Sequence, residues 1–219
     1  MKNLFFILTT FFFISSSSLA ADCSFLNVDP KITIKSSYGK LNYDTSKTTK
    51  EITNIAKKFN LVETGLFASG LSTVNVNFDI TINTFSNIMG NSEFCVTPTE
   101  VIIFLGLENP TIYLSKELSQ NSCQYNVVLR HEKVHQQINK STLEYYLPLF
   151  KKSVTSIIKK IRPIHVSDIN NIKNATAELT KIYNKKLTPL VNYIKKEMLT
   201  EQQKLDNPNN YHYENSLCL

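Results

Sequence analysis

His131-Glu132-Lys133-Val134-His135 stands out in a chain of 219 residues that holds only 4 histidines. On a helix, residues four apart share a face, so both imidazoles can bind one metal ion while Glu132 sits beside them. Zinc suits such a set: it takes neutral imidazole nitrogens and lowers the pKa of a coordinated water to about 7. Glu132 is then placed to accept that water's proton and pass it to a leaving amine. This is the chemistry of metal-assisted amide hydrolysis.

An open zinc site needs three protein ligands. In the last helical segment Ile194, Met198 and Leu205 mark an apolar stripe on which Glu201 falls, and a buried carboxylate is rare without a partner. Glu201 is therefore the first choice for third ligand. Glu178, at the edge of the stripe, and Asp206, just past the helix, are the alternatives, although the turn chemistry of Asp206-Asn207-Pro208 explains Asp206 equally well. Glu144 is set aside, because a continuous helix turns it away from His135 and a capping role already accounts for it. His165, His212, Tyr145 and Tyr146 could stabilise an oxyanion, but each is better accounted for as a surface or packing residue.

The elements that must position these residues follow from periodicity. Thr73 to Thr84 alternates strictly, with Val74, Val76, Phe78, Ile80 and Ile82 on one side, as a half-buried strand does. Shorter strands are expected over Lys31–Ser36, Thr99–Leu105 and Thr111–Leu114, the last two separated by a turn at Glu108-Asn109-Pro110. One helix interrupts them, opened by a capping box between Thr48 and Glu51. After Asn121 the period becomes helical, with no further convincing strand. Three helices are expected: Ser122–Asn139 with the histidines, Ser141–Arg162 opened by a box with Glu144 and kinked at Pro148, and a last one from Asp168 to Leu205, bent or split at Pro189. A polar tail follows. The expected class is α+β, a strand-rich amino half followed by a helical carboxy half.

Residues 1–20 read as a secretory signal: Lys2, an apolar run from Leu4 to Ile14, then small residues ending at Ala20. The run is shorter than the roughly 20 residues needed to span a bilayer. Asp22, directly before Cys23, disfavours a lipoprotein signal. Residues 21–219 form the expected single domain, exported to periplasm or medium, with no membrane span. Its 4 cysteines imply two disulfides in an oxidising compartment. Of three possible pairings, Cys95–Cys123 with Cys23–Cys218 is favoured. The net charge of +6 is mild, and every basic residue except Arg130 and Arg162 is lysine, which argues against phosphate recognition and nucleic-acid binding. Five glycines and no glycine-rich phosphate loop argue against nucleotide folds.

The segment Leu129-Arg130-His131-Glu132-Lys133-Val134-His135 resembles the active-site helix of the zincin metallopeptidases. The resemblance covers one helix closely and the sheet-then-helices order loosely. The metzincin continuation needs glycine and histidine where Ile138 and Ser141 stand, so a gluzincin-like site with an acidic ligand on a later helix is what it implies. More faintly, Phe94-Cys95-Val96, Thr111-Ile112-Tyr113-Leu114, Ser122-Cys123 and the closing Leu205-Asp206 with Cys218 look similar to uncharacterised exported proteins of Gram-negative bacteria.

The expectation is an exported zinc peptidase: His131, His135 and Glu201 bind zinc, Glu132 is the general base, and proteins or peptides of the envelope or medium are substrates. A strand of the amino half is available to pair with an extended peptide. The alternatives are a non-catalytic exported binding or scaffold protein held by its disulfides, and an amidase acting on cell-wall peptides. Oligomeric state is not legible in the sequence.

Overall fold

The computed structural model describes residues 23–26, 29–59, 61, 66–90 and 92–218. The expected signal, residues 1–20, lies outside them. The described chain runs β1 (Lys31–Lys35), β2 (Asn42–Asp44), α1 (Thr49–Lys58), β3 (Gly70–Gly90), β4 (Glu93–Leu114), α2 (Cys123–Ile158), β5 (Ile164–Val166), α3 (Ile172–Leu205) and α4 (Pro208–Ser216). The class is α+β, a five-stranded sheet with a helical carboxy half.

β4 is the spine of the sheet. On one side it pairs antiparallel with β3 along almost its whole length. On the other it meets β5 at Phe94–Val96, β1 at Glu100–Phe104 and β2 at Thr111–Tyr113. The alternating segment Thr73–Thr84 is thus the middle of a longer strand. The two strands expected around Glu108-Asn109-Pro110 are one, because the turn-like residues form a bulge: Asn109 takes a φ of 50° and the register shifts between Thr73 and Asn75. A bulge accommodates a proline that cannot donate to the ladder. A second shift, between Asn83 and Thr84, inserts Thr99. It lets Val96 before it and Val101, Ile103 and Leu105 after it enter the same core, which hides their alternation in the sequence.

The capping box of α1 forms, with Thr48 Oγ1 accepting from the Glu51 N–H at 3.2 Å and Glu51 Oε2 accepting from the Thr48 N–H at 2.7 Å. The box expected at Ser141 does not. α2 runs unbroken through that position, Ser141 Oγ accepts from Gln137 Nε2 and Glu144 faces Lys140. The apolar stripe of Leu143, Leu147, Phe150, Val154 and Ile158 continues on the face that carries His135 and Asn139, so tertiary burial overrides the local stop. Pro148 and Pro189 lie inside α2 and α3. Both are exposed, as are Glu144 and Lys185 four residues earlier, so water can serve the carbonyls that each proline leaves without a donor. α3 is therefore one helix and is not split.

The main core lies between one face of the sheet and the α2–α3 pair, with Leu143, Leu179, Tyr183 and Leu187 fully buried. Each leucine there contributes about 1.5–3 kcal/mol of burial. Two elements were not expected after Asn121: β5, and α4 in place of a polar tail. Asn207 caps α4 by accepting from the Asn210 N–H at 2.9 Å, with Pro208 in the first turn, the arrangement that proline favours.

The disulfides correct the expected pairing: Cys23 bonds Cys95 and Cys123 bonds Cys218. Cys95 opens β4 and Cys123 opens α2, so most of the length of β4 separates them. The short 3-10 turn at Cys23–Leu26 reaches the first, and α4 brings the chain end back to the second.

Candidate metal centre

Ser122 caps α2, its Oγ accepting from the Tyr125 N–H. Starting between two and three turns on, the helix carries His131, Glu132 and His135, all buried at 5%, 6% and 8% exposure. α3 packs alongside and its end supplies the facing groups. Gln202 lies one turn after Met198 on the buried stripe, and Asp206, the residue that caps the helix, lies one turn after Gln202.

Asp206 Oδ1 stands 3.1 Å from His131 Nε2 and 3.0 Å from His135 Nε2, and the two Nε2 atoms are 3.0 Å apart. These three ligand atoms form the one cluster among the described residues with the composition and closeness to hold a metal ion. Glu201, the expected third ligand, is elsewhere: its side chain is 43% exposed and paired with Lys204. The stripe runs Ile194, Met198, Gln202, Asp206 in steps of four, which turns Glu201 to the flank. Glu178 is exposed near the other end of α3, beside Ile164–Ser167.

The outer nitrogens of both histidines are occupied. His131 Nδ1 is 2.8 Å from Glu214 Oε2 of α4, and since a carboxylate only accepts, Nδ1 carries the proton. His135 Nδ1 faces Gln202 Oε1. Gln202 is oriented by its other end, where Nε2 donates to the His135 carbonyl at 3.0 Å and to Asn139 Oδ1 at 2.8 Å. Both neutral imidazoles therefore aim lone pairs from Nε2 at one another and at a carboxylate oxygen. Three acceptors at this distance repel unless a cation lies among them, and such outer partners are what orient imidazoles on a metal. Donors of a tetrahedral zinc stand roughly 3.3 Å apart, a few tenths of an ångström wider than here, so the set fits.

With no cation among them the imidazoles attract protons: burial disfavours charge on both, but the hydrogen bonds that a protonated Nε2 donates to Asp206, with the field of Glu132, outweigh it and raise both pKa values. Asp206 moves the other way: burial would raise its pKa, yet hydrogen bonds from the protonated forms of His131 and His135 and from Tyr211 hold it well below the carboxylate range. Glu132 is pushed up to about 7, chiefly by burial.

The cluster opens into a cavity of about 290 Å³ lined by Glu132, by Gly70–Asn75 of β3, and by Phe59, Leu61, Leu199 and Tyr211. Glu132 lies against Gly70: a β-carbon there would fall 2.7 Å from Glu132 Oε1 and 2.5 Å from Val128 Cγ1. Among the described residues β3 pairs only with β4. Ser115 N–H donates to Ser69 O, so by the alternation of an antiparallel ladder Gly70 and Ser72 direct their peptide groups away from β4. No helix among the described residues is long and apolar enough to cross a membrane, and the two disulfides fit an oxidising environment of the extracellular type.

No family model matches this chain, and no curated protein or solved structure matches it significantly.

The residues considered for oxyanion stabilisation do not line this cavity. Tyr145 is exposed, Tyr146 donates to Glu197, His165 lies on β5 near Glu93, and His212 is exposed. Tyr211 was missed. Its hydroxyl donates to Asp206 Oδ1 at 2.6 Å, its ring lies 5.2 Å from that of His131, and burial with the Asp206 charge raises its pKa, which keeps the proton in place. Gln202 and Glu214 were missed as well. The dipeptide Asn207-Pro208 was the available signal, because a helix starting there puts residues 211 and 214 on one face.

Proposed function

We propose that this protein is an exported zinc-dependent peptidase in which His131, His135 and Asp206 hold the metal and Glu132 is the general base. The observation that carries the reading is the convergence of two imidazole lone pairs and a carboxylate oxygen, beside a buried glutamate, at the floor of a cavity bordered by a strand edge. Zinc bound there supplies a Lewis acid for the scissile carbonyl and acidifies the attacking water. Glu132, buried beside the cluster, takes the proton of the attacking water and delivers it to the amine nitrogen as the C–N bond breaks. Tyr211, whose hydroxyl donates to Asp206 Oδ1, holds that carboxylate in place at the same wall.

The substrate suited to the cavity is an extended protein or peptide segment. The outward peptide groups of Gly70 and Ser72 offer the hydrogen bonds of an added strand. Phe59, Leu61 and Leu199, exposed at 60%, 46% and 48%, form an apolar wall for its side chains. The test uses the chain from Ala21 onward, with metal analysis and hydrolysis of an unfolded protein followed in parallel. Glu132→Gln is expected to retain zinc and lose hydrolysis. Zinc-free, folded wild-type protein after zinc resupply would overturn the metal assignment, and unchanged turnover in Glu132→Gln would overturn the mechanism.

A further inference from the structure

α4 supplies Glu214 to His131 and Tyr211 to Asp206 and the cavity wall, yet it contributes nothing to either apolar core. Glu214 is its one buried residue. Apart from the Tyr211 ring against that of His131, what fixes α4 on the metal helix is polar or covalent: Glu214 on His131, Arg130 Nη2 3.8 Å from Glu214 Oε1, and the Cys123–Cys218 disulfide between the first residue of α2 and the residues just after α4. The two disulfides differ in setting. Cys23 and Cys95 are buried at 5% and 0% exposure, whereas Cys123 is exposed and Cys218 only half-buried. A thiolate can reach the second bond and not the first, and access is a requirement of thiol–disulfide exchange.

Resting on the metal-site reading above, we propose that the Cys123–Cys218 disulfide is a redox-sensitive strap that sets the metal affinity of the site by holding Glu214, a positioning residue, against His131 Nδ1. With the strap closed, the Glu214 carboxylate fixes His131 in the tautomer whose Nε2 is free to bind metal. A dithiol reductant opens it: the reductant leaves as its own disulfide, and Cys123 and Cys218 each end as a thiol. α4 then keeps only the Tyr211 contacts to His131 and Asp206, with no share in an apolar core to hold it docked, and His131 loses its outer partner. Losing such a partner typically costs 10- to 100-fold in metal affinity.

The test is zinc affinity, read by competition with a chromophoric chelator, on the oxidised chain from Ala21 onward and on four variants. These are the pair Cys123→Ser with Cys218→Ser, Glu214→Leu, the combination of all three, and Glu214→Gln. The serine pair avoids new thiols that would themselves bind zinc. The pair and Glu214→Leu are each expected to weaken zinc binding 10- to 100-fold with an unchanged circular dichroism spectrum. Because both act through one contact, the combination should be no weaker than the stronger single loss. Glu214→Gln, which keeps an acceptor for Nδ1–H, should recover much of the affinity. Unchanged affinity in the serine pair, or losses that add, would overturn the strap while leaving the metal site standing. A wild-type chain that takes up no zinc would overturn the metal site and the strap with it.

Discussion

His131 and His135 face each other through Nε2 atoms 3.0 Å apart, while Glu214 and Gln202 occupy the opposite nitrogens. Neither Nε2 has a proton to offer the other in the neutral state, so the pair is built around a cation. Asp206 completes the set. Asp206→Ala is therefore expected to lower zinc affinity by at least 10-fold, in line with the loss of a direct ligand rather than an outer partner. Glu201→Ala, which removes only an exposed partner of Lys204, should leave zinc content and affinity unchanged. Metal analysis after dialysis separates the two variants, and equal zinc loss in both would contradict this assignment.

Without metal, the cluster must be held by protons, and this gives the metal-free protein a pH dependence with a definite sign. The folded-state pKa values of His131 and His135 lie above the ordinary imidazole value. The stability they contribute is full below about 6.5 and is lost as pH rises through the folded values. Glu132, at about 7 in the folded chain, adds to the same trend because the fold prefers its neutral form. Asp206, lowered, contributes stability above about 4 that is lost only in stronger acid. Metal-free protein should thus melt at a lower temperature at pH 8 than at pH 5. Zinc should raise the melting temperature most at pH 8, where the imidazoles no longer hold protons. Melting curves at the two pH values, with and without zinc, check both statements, and a metal-free protein more stable at pH 8 would contradict them.

The part of this site that lies on one helix was legible in the sequence, because helical geometry alone brings His131 and His135 together. The part that depends on how a second helix ends was not. Periodicity places the next buried position after Met198 between 201 and 202, and a difference of one residue moves the ligand from Glu201 to the turn at Asp206. The strands were read correctly wherever burial is one-sided, as in Val74–Ile82. They were misread where a bulge reverses the alternation, as at Thr99 and at Asn109-Pro110. The break expected at Ser141 failed because its capping signal is local, while the buried stripe from Leu143 to Ile158 belongs to the same core as α3. Disulfide pairing depends on which ends the fold brings together, and no local pattern encodes that.

Gly70 is where the sheet meets Glu132. Any β-carbon there would overlap Val128 Cγ1 at 2.5 Å and Glu132 Oε1 at 2.7 Å, so either α2 shifts or the carboxylate turns away. Gly70→Ala is expected to cost about 1–3 kcal/mol in stability and to reduce hydrolysis by a larger factor than zinc content. Thermal unfolding, metal analysis and turnover distinguish this from a loss of the metal site. A variant with full activity would mean that Glu132 is not held against β3 during the reaction.

Tyr183 tests the packing that supports the site from below. It is fully buried on α3, and its hydroxyl has no hydrogen-bond partner among the described residues. Burial alone pushes its pKa up to about 12. An unsatisfied buried hydroxyl costs about 1–3 kcal/mol, and phenylalanine keeps the ring that packs in the core. Tyr183→Phe should therefore raise stability by about 1 kcal/mol, a shift of about 2–4 °C in melting temperature for a domain of this size, with zinc affinity unchanged. If instead the variant is destabilised, the hydroxyl has a partner, a buried water being the first to seek, and the core beneath α3 is wetter than its apolar lining implies.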